Sequence, residues 1–216
     1  MLSPLKIISV HVPKTGGVSF RSYLRQRLGH HLRYVYDDSS LRRINLGRTP
    51  LLLPWQTAIH GHFFLHPEFL KAHPKARVIT WLRDPLERTI SHYYYWKNYD
   101  LGRESYFAKF KEKDPSLLEF VTDPDFAYVL DTYQFHFRLV KPEQIHFIGR
   151  TEYFEEDLAR MDRFLFPDDP LTILPEVKDN VGERPKVSDD LRSEIRKHLQ
   201  DEYEIYHRLL NTHGLL

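Results

Sequence analysis

Apolar positions recur along this chain in two periods, one suited to buried strands and one to helices. Ile7, Ile8, Val10 and Val12 form a short β-branched run suited to a strand buried on both faces. Pro13 ends that run because its ring removes a ladder donor. Similar runs predict strands over 7–11, 33–36, 57–60, 77–82 and 144–148. Helices are predicted over 18–28, 67–72, 86–96, 104–113, 116–121, 125–138 and 154–164. The longest is predicted over 189–210, where Leu191, Ile195, Leu199, Tyr203, Tyr206 and Leu210 make one stripe at three- and four-residue spacing, read as core. Helical or loop stretches separate the first four strands, so an α/β chain with parallel pairing is expected. With 216 residues and no repeat, one domain is predicted: a central parallel sheet flanked by helices.

The first strand runs into Lys14, Thr15, Gly16 and Gly17, and a helix begins near Ser19. Gly16 and Gly17 permit backbone angles closed to other residues, so successive amides can converge on one oxygen cluster. The positive end of the helix dipole faces the same point. Lys14 adds a full charge, and Thr15 and Ser19 add hydroxyl donors. A phosphate-like group suits this loop. The P-loop of ATPases and GTPases is a different pattern, with Gly-Lys-Ser/Thr closing a longer glycine loop. Here the lysine precedes the glycines, and no later strand ends in a magnesium-binding aspartate.

A second motif lies at 76–96, reading ARVITWLRDPLERTISHYYYW. Its strand breaks at Arg83-Asp84-Pro85, and Pro85 suits the first position of the following helix. Arg83 therefore sits at a strand's carboxyl end, the edge where open α/β sheets bind ligands. Its guanidinium offers a planar fork for a phosphate, and Ser91, two turns into the helix, can add a hydroxyl. The competing structural readings are an Arg83-Asp84 ion pair and a solvated Ser91.

The pair PKTGGVSF and, about 65 residues on, RDPLERTISHYYY resembles the two cofactor signatures of sulfotransferases that use 3'-phosphoadenosine 5'-phosphosulfate. The resemblance implies a P-loop-like sulfotransferase fold and no metal. It assigns Lys14, Thr15, Gly16, Gly17, Val18 and Ser19 to the 5'-phosphosulfate, and Arg83 and Ser91 to the 3'-phosphate. Gly149-Arg150-Thr151-Glu152-Tyr153 is similar to a family segment near the cofactor. The family also places a loop over the nucleotide near 180–186, which makes Arg184 and Lys186 candidate phosphate contacts. Within the family, Ile59-His60-Gly61-His62-Phe63 with the tyrosine run resembles the carbohydrate branch of heparan sulfate and uronyl 2-O-sulfotransferases, where a His-Gly-His segment supplies the proton acceptor.

In extended chain His60 and His62 point to one face, so both are expected to reach one cavity. A neutral imidazole suits removal of a proton from a sugar hydroxyl. Lys14, His62 and His60 are thus the candidate catalytic residues. A purely structural histidine pair, or a metal site completed by His66, competes with this, although no carboxylate or cysteine joins at a usual ligand spacing. The aromatic stretch 93–99 is expected to pack mostly inside, with Tyr94 as a candidate stacking surface.

Composition bounds the reading. With 31 basic and 30 acidic side chains the net charge is +1, which leaves no global field for nucleic acid. Any charge that binds a carbohydrate acceptor must be local. Arg21, Arg25, Arg27, Arg42, Arg43, Arg48, Lys97 and Arg103 are candidates, each read first as solvated surface. Apolar runs such as Leu51 to Leu53 are too short to span a bilayer, no secretion signal is evident, and there is no cysteine. A bacterial cytoplasmic enzyme is therefore expected, unlike the membrane-anchored animal Golgi members of that branch. The other readings are an ATP-dependent kinase and a non-catalytic nucleotide- or glycan-binding module.

Overall fold

A computed structural model of the chain describes residues 5–98, 105–172 and 185–216. Strands β1 (Ile7–Val10), β2 (Leu32–Val35), β3 (Ala58–Gly61), β4 (Arg77–Leu82) and β5 (Phe147–Arg150) form one sheet in the order β2-β3-β1-β4-β5. All four pairings are parallel. The helices are α1 (Gly17–Leu28), α2 (Asp38–Asn45), α3 (Pro67–Ala72), α4 (Pro85–Asn98), α5 (Ser105–Lys113), α6 (Leu117–Thr122), α7 (Ala127–Leu130), α8 (Thr132–Phe137), α9 (Phe154–Leu165), α10 (Asp189–His198) and α11 (Gln200–Thr212). The α/β class, the parallel pairing and the flanking helices are as predicted.

Strand alternation divides the core between the two faces of the sheet. Ile7, Ala58, Ile79 and Trp81 pack with Phe20 and Tyr23 of α1 and Leu158 and Met161 of α9. Ile8, Val10, Ile59, Val78 and Leu82 meet the larger cluster built on α4, α6, α8 and α11. β1 is central, and the chain runs first to β2 and β3 on one side and then to β4 and β5 on the other. The carboxyl ends of β1, β3 and β4 therefore open onto the crevice where connections diverge, the usual ligand position in such sheets.

Four elements differ from the sequence expectation. Helix α2 was not predicted, because only Ser40 and Ile44 of its residues are buried; its signal was Asp37, whose carboxylate accepts from Ser40 N at 2.9 Å. β5 begins at Phe147 rather than 144, since 142–144 form a 3-10 turn. The helix predicted over 189–210 bends at Leu199 (φ −108°, ψ 20°), although Ile195, Leu199, Tyr203, Tyr206 and Leu210 are all buried as the stripe implied.

The helix predicted over 125–138 breaks at Asp131 (φ −76°, ψ 41°) for an electrostatic reason. The guanidinium of Arg88, fully buried on α4, donates to Val129 O at 3.1 Å and Leu130 O at 2.7 Å. Those carbonyls would otherwise accept from residues 133 and 134. Tyr133 N and Gln134 N donate instead to the buried carboxylate of Glu202, at 2.9 and 3.1 Å. An ion pair between Arg88 and Glu202, 3.5 Å apart, thus replaces two helical hydrogen bonds and ties α4 to α7, α8 and α11.

Candidate active site

After β1 the chain makes a tight loop with two left-handed residues, Lys14 at φ 68° and Gly16 at φ 80°. Thr15 is buried, and its hydroxyl donates to Val12 O at 2.8 Å. That proton closes the loop, so Thr15 acts here as a brace and not as the outward donor expected. No side chain caps α1, and its first turn holds no acidic residue, so the amide end of the helix keeps its positive field toward the loop. Val18 is exposed and Ser19 half-buried. Gly16 lies against Phe154, whose ring stands 3.0 Å from the place of an added Cβ.

Arg83, at the end of β4, reaches this loop: its Nη1 donates to Lys14 O at a long 3.5 Å. The loop after β1 and the guanidinium therefore flank one crevice. The ion pair with Asp84 does not form. Asp84 accepts from Glu87 N at 3.1 Å and from the Tyr203 hydroxyl at 2.9 Å, while the backbone N–H of Arg83 donates to Tyr133 Oη at 2.9 Å. Lys14 Nζ lies 3.9 Å from the ring centroid of Tyr95 on α4. Ser91, one turn before Tyr95, shares that flank of α4 and is buried, not solvated. The segment after β5 stitches the rim together: Thr151 donates to Leu82 O at 2.9 Å, and Glu152 accepts from Asp84 N at 2.9 Å. Arg150 is engaged by Asp157 at 2.8 Å. Lys186 lies in a cavity of about 600 Å³ with Tyr94 and Lys97, and no described contact joins it to the Lys14 loop. Arg184 falls outside the described residues.

Histidines line the β1–β3 side of the crevice. Ser9 and His11 on β1 and its extension, and His60 and His62 on β3 and its extension, share the α1 face of the sheet. His11 stacks between the other two imidazoles, with centroids 5.0 Å from His60 and 4.2 Å from His62. His60 and His62 do share a face, yet they do not both reach a cavity. His60 is fully buried, bonded through Nδ1 to Ser9 Oγ at 2.8 Å, with Nε2 unpartnered. Burial pushes it down to about 3. It is a buried support for the stack, and the accessible candidate base is His62.

His62 is half-buried, and its Nδ1 lies 2.7 Å from His11 O. A carbonyl can only accept, so Nδ1 carries the proton and Nε2 presents a lone pair. Burial also lowers the pKa of His62 below its ordinary 6.5, with the His11 carbonyl opposing and Arg21 reinforcing the shift. A neutral imidazole in this tautomer is equipped to accept a proton.

Sequence reasoning missed His11, Tyr36 and His92. His11 Nδ1 lies 2.8 Å from the Tyr36 hydroxyl, and His92 Nδ1 is buried without a partner within the electrostatic reach of Lys14 and His62. The legible signal for His11 was the alternation of polar Ser9 and His11 through an apolar strand. Its pairing with β3, Ser9 opposite His60, required the sheet. Among the described residues no group of three metal-ligating side chains exists, and no helix is long and apolar enough to cross a membrane.

No protein-family model matches the sequence, and no curated protein matches it. The fold is similar to the crystal structure of a sulfotransferase from Alicyclobacillus acidocaldarius, with a TM-score of 0.51 and 15% identity over 98% of this chain and 96% of that one. A looser likeness, TM-score 0.43 and 15% identity over 90% of this chain and 64% of the other, is to a mouse sulfotransferase complexed with PAP. The chain shares the fold of the bacterial sulfotransferase.

Proposed function

We propose that this protein transfers a sulfuryl group from 3'-phosphoadenosine 5'-phosphosulfate to a hydroxyl of a carbohydrate acceptor, with His62 as the base. One observation carries the reading. An uncapped helix end with Lys14 before it, and a guanidinium with no carboxylate partner among the described residues, meet across one crevice beside a neutral, correctly protonated histidine.

The residues present fit such a nucleotide. The loop amides after Lys14 and the α1 end would hold the 5'-phosphosulfate, and Arg83 with Ser91 the 3'-phosphate. That requires the Arg83 side chain to leave Lys14 O, a weak 3.5 Å contact. When bound, the donor supplies an activated sulfuryl group. Lys14 would leave the Tyr95 ring and place its charge on the leaving oxygen, a preorganised electrostatic contribution. His62 Nε2 would remove the acceptor proton, worth about 10²- to 10⁴-fold in rate. The His11 carbonyl holds the other ring nitrogen and stabilises the imidazolium as it forms.

Thermal unfolding with adenosine 3',5'-bisphosphate tests the binding half. Saturating nucleotide should raise the melting temperature by mass action, and Lys14→Ala should remove most of the rise. Labelled-donor turnover tests the chemistry: His62→Ala should keep the rise and lose at least 100-fold in turnover. A shift with ATP and magnesium but not with the bisphosphate would point to a kinase. A silent His62→Ala would leave a binding module.

A further inference from the structure

Among the described residues, four of the ten large apolar side chains that stand exposed fall between positions 46 and 55: Leu46, Leu51, Leu53 and Trp55, with Leu51 exposed by 73%. Pro50 and Leu52 turn inward, so Leu51, Leu53 and Trp55 alternate outward along one short stretch. The backbone holds them there. Gln56 N donates to Leu53 O at 2.9 Å, the Gln56 side-chain oxygen accepts from Leu53 N at 2.9 Å, and His31 Nδ1 donates to Trp55 O at 2.7 Å. Three large apolar groups displayed on a braced turn gain no packing within the chain, which marks a surface that meets something else.

This turn leads into β3, so it lies at the amino edge of the parallel sheet, opposite the crevice at the carboxyl ends. The same edge is basic. The residues that enter the strands are laced together there: Thr57 N donates to His31 O at 3.0 Å, Lys6 N to Thr57 O at 2.7 Å and Arg77 N to Lys6 O at 2.8 Å. Along that row His30, His31, Lys6 and Lys75 are exposed, and Lys6 and Lys75 form no ion pair among the described residues. No aspartate or glutamate occurs between Asp38 and Glu68, whereas Arg48 stands exposed between Leu46 and Leu51. Nearby acids are taken up or distant: Asp169 is paired with Arg27 and Glu68 with Lys71, while Asp168 follows α9 and Glu143 precedes β5, at the far end of the sheet from β2.

We infer that the amino edge of the sheet docks on a lipid surface bearing anionic headgroups. Leu51, Leu53 and Trp55 enter the boundary between headgroups and acyl chains, and Lys6, Lys75 and Arg48 sit over the headgroup charges. Charge decides against a second copy of this chain, because a two-fold contact would set the basic row against itself. The contact is peripheral, and it leaves the crevice at the opposite edge facing away from the lipid. The inference stands apart from the sulfuryl-transfer reading.

Vesicles of phosphatidylcholine alone, and of phosphatidylcholine mixed with phosphatidylglycerol, titrated into the full chain test this by cosedimentation and by tryptophan emission. Trp81 and Trp96 are buried, so an emission change on binding reports Trp55. The mixed vesicles should bind tenfold or more tighter than the neutral ones and move the emission to the blue, and added salt should weaken the contact. Leu51→Ser/Leu53→Ser/Trp55→Ser should lose the binding, and Lys6→Gln/Lys75→Gln should weaken it about tenfold. Tyr128→Ser/Leu139→Ser, a loss of exposed apolar surface elsewhere, should keep it, with urea unfolding as the check that each variant is folded. Binding to neither vesicle, equal binding to both, an unmoved emission, or equal losses in the turn and control variants overturns the docking. A concentration-dependent dimer in analytical ultracentrifugation that the triple variant abolishes overturns it too, since a second copy then covers the turn.

Discussion

Gly17 shows how closely the loop is fitted to the histidine stack. A Cβ there would stand 1.8 Å from His11 Nε2 and 2.4 Å from its Cε1. The imidazole cannot simply retreat, since Tyr36 holds Nδ1 and His60 and His62 flank the ring. Alanine is the better helix former by about 1 kcal/mol, but overpacking of this kind costs about 1–3 kcal/mol and displaces a bonded ring. Gly17→Ala should therefore lower stability in urea unfolding and shift the His11 and His62 imidazole resonances. Unchanged resonances would show that the ring is not so confined. Lys14 adds a second local tension, an L residue held at φ 68° at a cost of about 1–2 kcal/mol. Such strain is common where a side chain must be aimed at a ligand.

Among the elements, the break between α7 and α8 is the most informative, because side-chain charges take over backbone hydrogen bonds there. Arg88→Met should be severe: it leaves Glu202 buried without its cation and strips Leu130 O of its donor, with Val129 O keeping only the Thr132 hydroxyl, an expected loss of about 3–5 kcal/mol in urea unfolding. The double variant Arg88→Met/Glu202→Leu should recover part of this, since the N–H groups of 133 and 134 can then return to the carbonyls of 129 and 130. A double variant as unstable as the sum of both single variants would mean the break is imposed by packing alone. By contrast, α6 forms where a helix was predicted over 116–121, and a reciprocal cap closes its start, with Glu119 Oε2 accepting from Ser116 N at 2.7 Å.

At the scale of the whole molecule, buried imidazoles set a pH response. His60 and His136 are both enclosed, and burial pushes each down to about 3. The unfolded chain takes up these protons near 6.5 while the folded one does not, so the unfolded state binds more protons and stability falls as the pH drops from about 6.5 toward 3. Urea unfolding should lose roughly 2–4 kcal/mol between pH 7 and pH 5 from these two residues. A flat profile across that interval would contradict their neutral burial. The strand runs, the Pro13 stop, the glycine turn and the Arg83–Ser91 spacing were all legible in the sequence, because each is local chemistry within one strand, turn or helix. The α/β class followed from their order. What no local pattern carried was which polar groups meet: that His60 is sealed beneath the stack while His62 stays accessible, that His11 joins them, and that Arg88 and Glu202 divide a helix. Those outcomes depend on strand order and register, which place residues 25 to 114 positions apart side by side only after the sheet has closed and its two faces are covered.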